Sequence, residues 1–200
     1  LAFLAALGTL RTLSDHTPTA KMSWRAEAGA WRPLLHVRTM PVTDDEILHQ
    51  LANRLNRDSQ QHPANRWSQF LDDNSAAIRQ LIANYPDEWS ACIGIEPLPN
   101  TDLSKRFSQL QTARKDYHVK ALKNLTARKF NEDKLRATLL EPWNYADPLV
   151  GMTLHLDPSE DRRYAYQWTK PEGDPARKAQ GNMIAANRLA IEALPMFPSV

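Results

Sequence analysis

Apolar and polar positions along this chain repeat with two periods, and those periods place most of its elements. Residues 1 to 13 carry Leu4, Leu7 and Leu10, or equally Phe3, Leu7 and Leu10, at helical spacing. The opening "LAFLAALGTL" has the length of a signal-peptide core. No basic residue precedes it, no clear small-residue cleavage site follows it, and Arg11 continues the helical pattern, so it is read as a buried core helix. "KMSWR" at 21 to 25 and "WRPLLHV" at 31 to 37, joined by "AEAGA", predict a hairpin in which Trp24 and Trp31 pack across the strands, with Pro33 confining the second strand to an edge. In "TDDEILHQLANRL", Thr43 and Glu46 form a capping box, Asp44 and Asp45 favour the positive helix end, and Ile47, Leu48, Leu51 and Leu55 make the apolar stripe.

Further helices are expected through "RWSQFL" and, after Asn74 as cap, through "SAAIRQLIANY" up to Pro86. "SACIGIE" at 90 to 96 reads as a buried strand. "MTLHL" alternates, with Met152, Leu154 and Leu156 on one face and Thr153 and His155 on the other, and in "RYAYQW" the aromatics Tyr164, Tyr166 and Trp168 share a face. "DPSED" and "PEGDP" are turn signals on either side of that last strand. The final "MIAANRLAIEAL" is helical, with Ile184, Leu189, Ile191 and Leu194 among its apolar positions. The sum is a mixed α+β fold, helix-rich, a single domain over residues 1–200 with short antiparallel strands. The chain opens at Leu1 without an initiator Met and stops at "LPMFPSV", and is expected to be a segment of a longer protein.

Composition narrows the function classes. With 42% apolar and 24% charged residues, the chain is ordinary for a globular protein, and no stretch approaches the ~20 apolar residues that span a bilayer. The single cysteine, Cys92, excludes an internal disulfide, reads as a buried structural thiol, and suits a reducing, cytoplasmic compartment. Neither zinc-ligand spacing nor a GxGxxG, Walker or GxSxG motif occurs, and His16, His36, His49 and His62 show no mutual motif spacing. No cofactor or small-molecule substrate is evident.

The net charge is only +2, but between Lys105 and Arg136 ten Lys or Arg face three acids, so this segment carries +7 and the remainder −5. That asymmetry fits a polyanion or an acidic protein partner, and equally a solvated helical face. Laid on one helix, Phe107, Leu110, Tyr117, Ala121 and Leu125 share a side with Arg114 and His118, while Lys115, Lys120 and Lys123 point elsewhere. A guanidinium on an apolar face must meet an acid, a carbonyl or a phosphate. Arg114 is thus the preferred contact residue, unless it pairs with a buried carboxylate or the helix begins only at Thr112. The candidate nucleic-acid-binding set is Arg114, Lys115, His118, Lys120, Lys123, Arg128 and Lys129, with Arg162 and Arg163 beside the aromatic strand. A weaker catalytic reading makes Asp157, Glu160 and Asp161, near His155, an acid/base pair or metal ligands.

The blocks "FLAALGTLRTL", "SWR", "WRPLLH", "LQTARKDYH", "EPWNYADP", "LDPSEDRRYAYQW" and "ANRLAIEALPMFP", spread over the whole chain, resemble a family of proteins encoded beside the effector genes of type I-G (formerly I-U) CRISPR–Cas systems. The resemblance implies a non-catalytic subunit or accessory of a surveillance complex in antiviral defence, with effector subunits and RNA or DNA as partners. It supplies no catalytic residue. The alternatives are a protein-interaction module without nucleic-acid contact and a metal-dependent nuclease.

Overall fold

The computed structural model describes residues 1–14, 20–37, 43–57, 59, 61–72, 80, 82–92, 115–149, 151–157 and 181–198. Its helices are α1 (Ala2–Ser14), α2 (Asp44–Arg57), the short α3 (Glu88–Ala91), α4 (Lys115–Thr126), α5 (Glu132–Leu139) and α6 (Ile184–Glu192), with 3-10 segments at Pro63–Asp72 and Leu194–Met196. Strands β1 (Lys21–Glu27) and β2 (Ala30–His36) form a two-stranded antiparallel sheet. The fold is α+β and helix-rich.

Helix α6 is the centre of the core, for every residue from Ile184 to Glu192 is buried. α1 packs along it, and the approach is so close that a Cβ on Gly8 would lie 1.7 Å from the Leu189 carbonyl oxygen. This explains why the inward face of α1 departs from the leucine spacing. Ala5, Ala6, Gly8, Thr9 and Thr12 are buried beside Leu4 and Leu13, whereas Phe3 lies at the surface. Thr9 and Thr12 satisfy their hydroxyls on the Ala5 and Gly8 carbonyls at 2.8 and 2.7 Å, so small polar residues fit without cost to hydrogen bonding.

α2 begins as its sequence dictates. The Thr43 N–H donates to Glu46 Oε2 at 2.9 Å, and the Glu46 N–H donates to Thr43 Oγ1 at 3.2 Å. Leu48, Leu51 and Leu55 are buried along its stripe. Asn56 clamps the chain that leaves α4: its Nδ2 donates to the Phe130 carbonyl at 2.8 Å and its Oδ1 accepts from the Phe130 N–H at 2.8 Å. α4 lies against the 3-10 segment that occupies the expected "RWSQFL" helix, and Thr126 Oγ1 donates to Asn65 Oδ1 at 2.9 Å.

Three local expectations are corrected. In the hairpin, Trp24 faces Pro33 and Trp31 faces Ala26, so the two indoles are diagonal neighbours rather than a directly opposed pair. Trp24 stacks on Phe3 instead, at 5.2 Å between centroids, and Trp31 is 71% exposed. Ser90 and Ala91 belong to α3 and Cys92 caps its C-terminus, so the expected strand does not begin there, while residues 93–96 lie outside the described residues. "MTLHL" is not a strand either. Leu154 donates its N–H to Asn187 Oδ1 at 2.8 Å and Met152 gives its carbonyl to Asn182 Nδ2 at 2.6 Å, so α6 and its lead-in take the place of a partner strand. His155 also has φ +55, which breaks an extended run. Of the helix expected after Asn74, residues 80 and 82–84 are described and are helical. The strand "RYAYQW" and the turn "PEGDP" lie outside the described residues.

Because a Cβ at Gly8 would meet backbone rather than a movable side chain, Gly8→Ala must push α1 and α6 apart. The expected loss is about 1–3 kcal/mol, read as a lower urea midpoint.

Candidate functional site

Among the described residues the cations of the basic segment divide into two groups. On α4, Val119, Ala121, Leu122 and Leu125 are buried, while Lys120 and Lys123, one turn apart, are exposed. Arg128 and Lys129 follow the helix and are exposed too, beside the buried Phe130. None of these four cations has an ion pair among the described residues. Arg128 and Lys129 line a hollow of about 450 Å³ whose far wall includes Lys134, Asp147 and Pro148. The stem of Lys120 approaches Gly151, three residues beyond Pro148. Lys120, Arg128 and Lys129 therefore border residues of the 147–151 stretch, and Lys123 lies one turn from Lys120 on the same helix.

Lys134 and Arg136 are already neutralised, by Asp147 and Asp45 respectively. Asp147 is also committed to the core, since its Oδ2 accepts the Ile184 N–H at the start of α6 at 2.9 Å. His118 sits with the apolar side of α4, as its spacing requires, and is buried rather than on the lysine face. Burial disfavours its charged form and pushes its pKa down to about 4. Lys115 opens α4, but its side chain, like Arg114, Arg162 and Arg163, lies outside the described residues. So do Glu160 and Asp161. Asp157 is buried. Among the described residues no group of three His, Cys, Asp or Glu converges as a metal site. Cys92 is buried, its thiol donates to the Trp89 carbonyl at 2.9 Å, and burial pushes its pKa up to about 12, which leaves it a packing residue rather than a nucleophile. No helix among the described residues is long and apolar enough to cross a membrane.

A second charged site was not anticipated from sequence. Arg188 and Glu192, one turn apart on α6, are both buried and paired with each other. Glu192 Oε2 accepts from Arg11 of α1 at 3.1 Å, and its Oε1 meets His62 Nε2 at 2.9 Å. The Ala64 N–H donates to His62 Nδ1 at 3.2 Å, so Nδ1 is the acceptor and Nε2 carries the proton given to Glu192. Arg11 reaches Glu88 with its other nitrogen and lies 5.1 Å from the Trp89 ring centre. Burial alone would raise the Glu192 pKa, but the Arg188 charge and the His62 hydrogen bond outweigh it and hold the carboxyl ionised well below the usual carboxylate range. These residues wall a cavity of about 290 Å³ together with Arg54 and Arg57 from the last turn of α2. The signal available in sequence was "NRLAIE": two opposite charges at i and i+4 inside an otherwise apolar helix.

Glu192→Gln leaves Arg188 buried without its counter-charge, and an expected loss of about 3–5 kcal/mol can be read by urea unfolding at pH 7. The wild type should lose the Glu192 contribution as pH falls below the free carboxylate value of 4.5, since the folded pKa is the lower one, and the variant should be flatter there. His118 titrates in a different window. With a folded pKa of about 4 against 6.5 when free, it binds its proton more readily in the unfolded chain. Relative to His118→Leu, the wild type should therefore weaken by on the order of 3 kcal/mol as pH falls from 6.5 to 4.

No family model matches the chain, and neither a curated protein nor a solved structure matches it.

Proposed function

We propose that the protein is a non-catalytic subunit or accessory of a type I CRISPR–Cas surveillance complex, working in antiviral defence in the cytoplasm and touching the phosphate backbone of guide RNA or target DNA. The observation that carries the contact is the set Lys120, Lys123, Arg128 and Lys129, four exposed cations on α4 and the segment that follows it with no ion pair among the described residues. Lys134 and Arg136 show what neutralised cations of the same segment look like. Unneutralised surface cations on a folded frame release counterions when they meet a polyanion, and this requires no base-specific chemistry. The setting comes from the sequence blocks that resemble type I-G CRISPR-associated proteins. In such an assembly base pairing reads sequence and protein holds the backbone.

The experiment is a filter-binding titration with RNA and single-stranded DNA over a range of salt. Binding should weaken log-linearly with salt, and each of Lys120→Ala, Lys123→Ala, Arg128→Ala and Lys129→Ala should flatten the slope by about one unit. Absence of any affinity at low salt would overturn the nucleic-acid contact. Capture of an effector subunit that survives nuclease treatment, with no binding to RNA or DNA, would transfer the same surface to an acidic protein partner.

A further inference from the structure

The cavity between α1, the end of α2, the start of the 3-10 segment and α6 has a chemistry that the buried ion cluster does not use up. Its volume is about 290 Å³, and its charged lining is four guanidiniums, Arg11, Arg54, Arg57 and Arg188, against one carboxylate, Glu192. Both oxygens of that carboxylate are engaged, Oε2 by Arg11 and Oε1 by His62 and Arg188. The other acid of the cluster, Glu88, is taken by Arg11. Arg54 has a partner of its own, so what is left over among the described residues is Arg57 and one donor of Arg188. Arg188, 1% exposed, has its Nε–H buried without an acceptor, and Arg57 has no ion pair among the described residues. A buried guanidinium donor with nothing to donate to is a standing cost, and an anion entering the cavity that Arg188 lines would supply the missing acceptor.

We infer that this cavity binds a phosphate monoester, with Arg57 and the Nε–H of Arg188 as the groups that recognise its oxygens. Arginine is the side chain whose fixed fork of donors matches a tetrahedral oxyanion, and a dianion suits a lining with more guanidiniums than carboxylates. Size sets the ligand class. The volume is at the lower end of ligand pockets, about 300 Å³, enough for a phosphate and the sugar that bears it but not for a duplex. The Trp89 indole and Pro63 supply an apolar wall against which such a sugar can lie. The inference is independent of the exposed lysines. Those are solvated and suit a continuous backbone, whereas the cavity suits a single terminal or free phosphate.

Four probes on the intact chain test it by calorimetric titration: inorganic phosphate, a nucleoside 5′-monophosphate, and one oligoribonucleotide with either a 5′-phosphate or a 5′-hydroxyl. The monophosphate should bind and should displace inorganic phosphate. A preference of the 5′-phosphorylated over the 5′-hydroxyl strand identifies a strand end as the source, and equal affinity of the two strands beside a binding monophosphate identifies a free metabolite. Affinity should fall as pH drops through about 6, where a monoester loses its second charge. Arg57→Ala should weaken monophosphate binding at least tenfold with Arg57→Lys in between, and since Arg57 is exposed and has no ion pair among the described residues, both variants should keep the wild-type urea midpoint. Lys120→Ala combined with Lys123→Ala should leave monophosphate binding unchanged, which separates this site from the backbone-binding surface. Failure of phosphate and monophosphate to bind at millimolar concentration, or an Arg57→Ala affinity within twofold of wild type, overturns the assignment.

Discussion

The whole arrangement depends on burying two opposite charges one turn apart at the end of the central helix. α6 has no solvent side, so Arg188 and Glu192 cannot be hydrated and have to be satisfied by protein. Glu192 gathers partners from two distant parts of the chain, Arg11 from α1 and His62 from the segment after α2, and a third, Arg188, from its own helix. Arg11 extends the cluster to Glu88 and over Trp89. An apolar pair in the same place would stabilise at least as well, so stability alone does not account for charges in this position.

Much of the fold was legible because it is local. The Thr43–Glu46 capping box needs only four consecutive residues, and the turn at Ala28–Gly29, with φ of +50 and +78, closes the hairpin where the glycine allows. The errors came where a distant partner overrode a local pattern. "MTLHL" alternates like a strand, yet Asn187 and Asn182, about thirty residues on, take its backbone groups. Phe3 completes a helical stripe, yet it lies at the surface, because the close approach of α6 at Gly8 sets which residues of α1 turn inward, small Ala5, Thr9 and Thr12 among them.

The candidate sites show the same limit. Spacing alone separated Lys120 and Lys123 from the buried His118, because a single helix decides that. It could not show that Lys134 and Arg136 are neutralised, since Asp147 and Asp45 reach them only through the tertiary fold. The cavity is further still from sequence inspection. Its arginines lie at positions 11, 54, 57 and 188, and only the stacking of α1 on α6 beside the end of α2 makes them neighbours. Clustering of charge along the chain and clustering in space are different quantities here.

The Asn56 clamp fixes the main chain beside two of the exposed cations. By offering one acceptor and one donor to the same residue, its amide imitates a strand partner for Phe130 and bolts the linker between α4 and α5 to α2. Arg128 and Lys129 immediately precede that bolt. Their main chain is thus held before anything docks, and a partner arriving there has only side-chain rotamers to freeze rather than a loop to arrest.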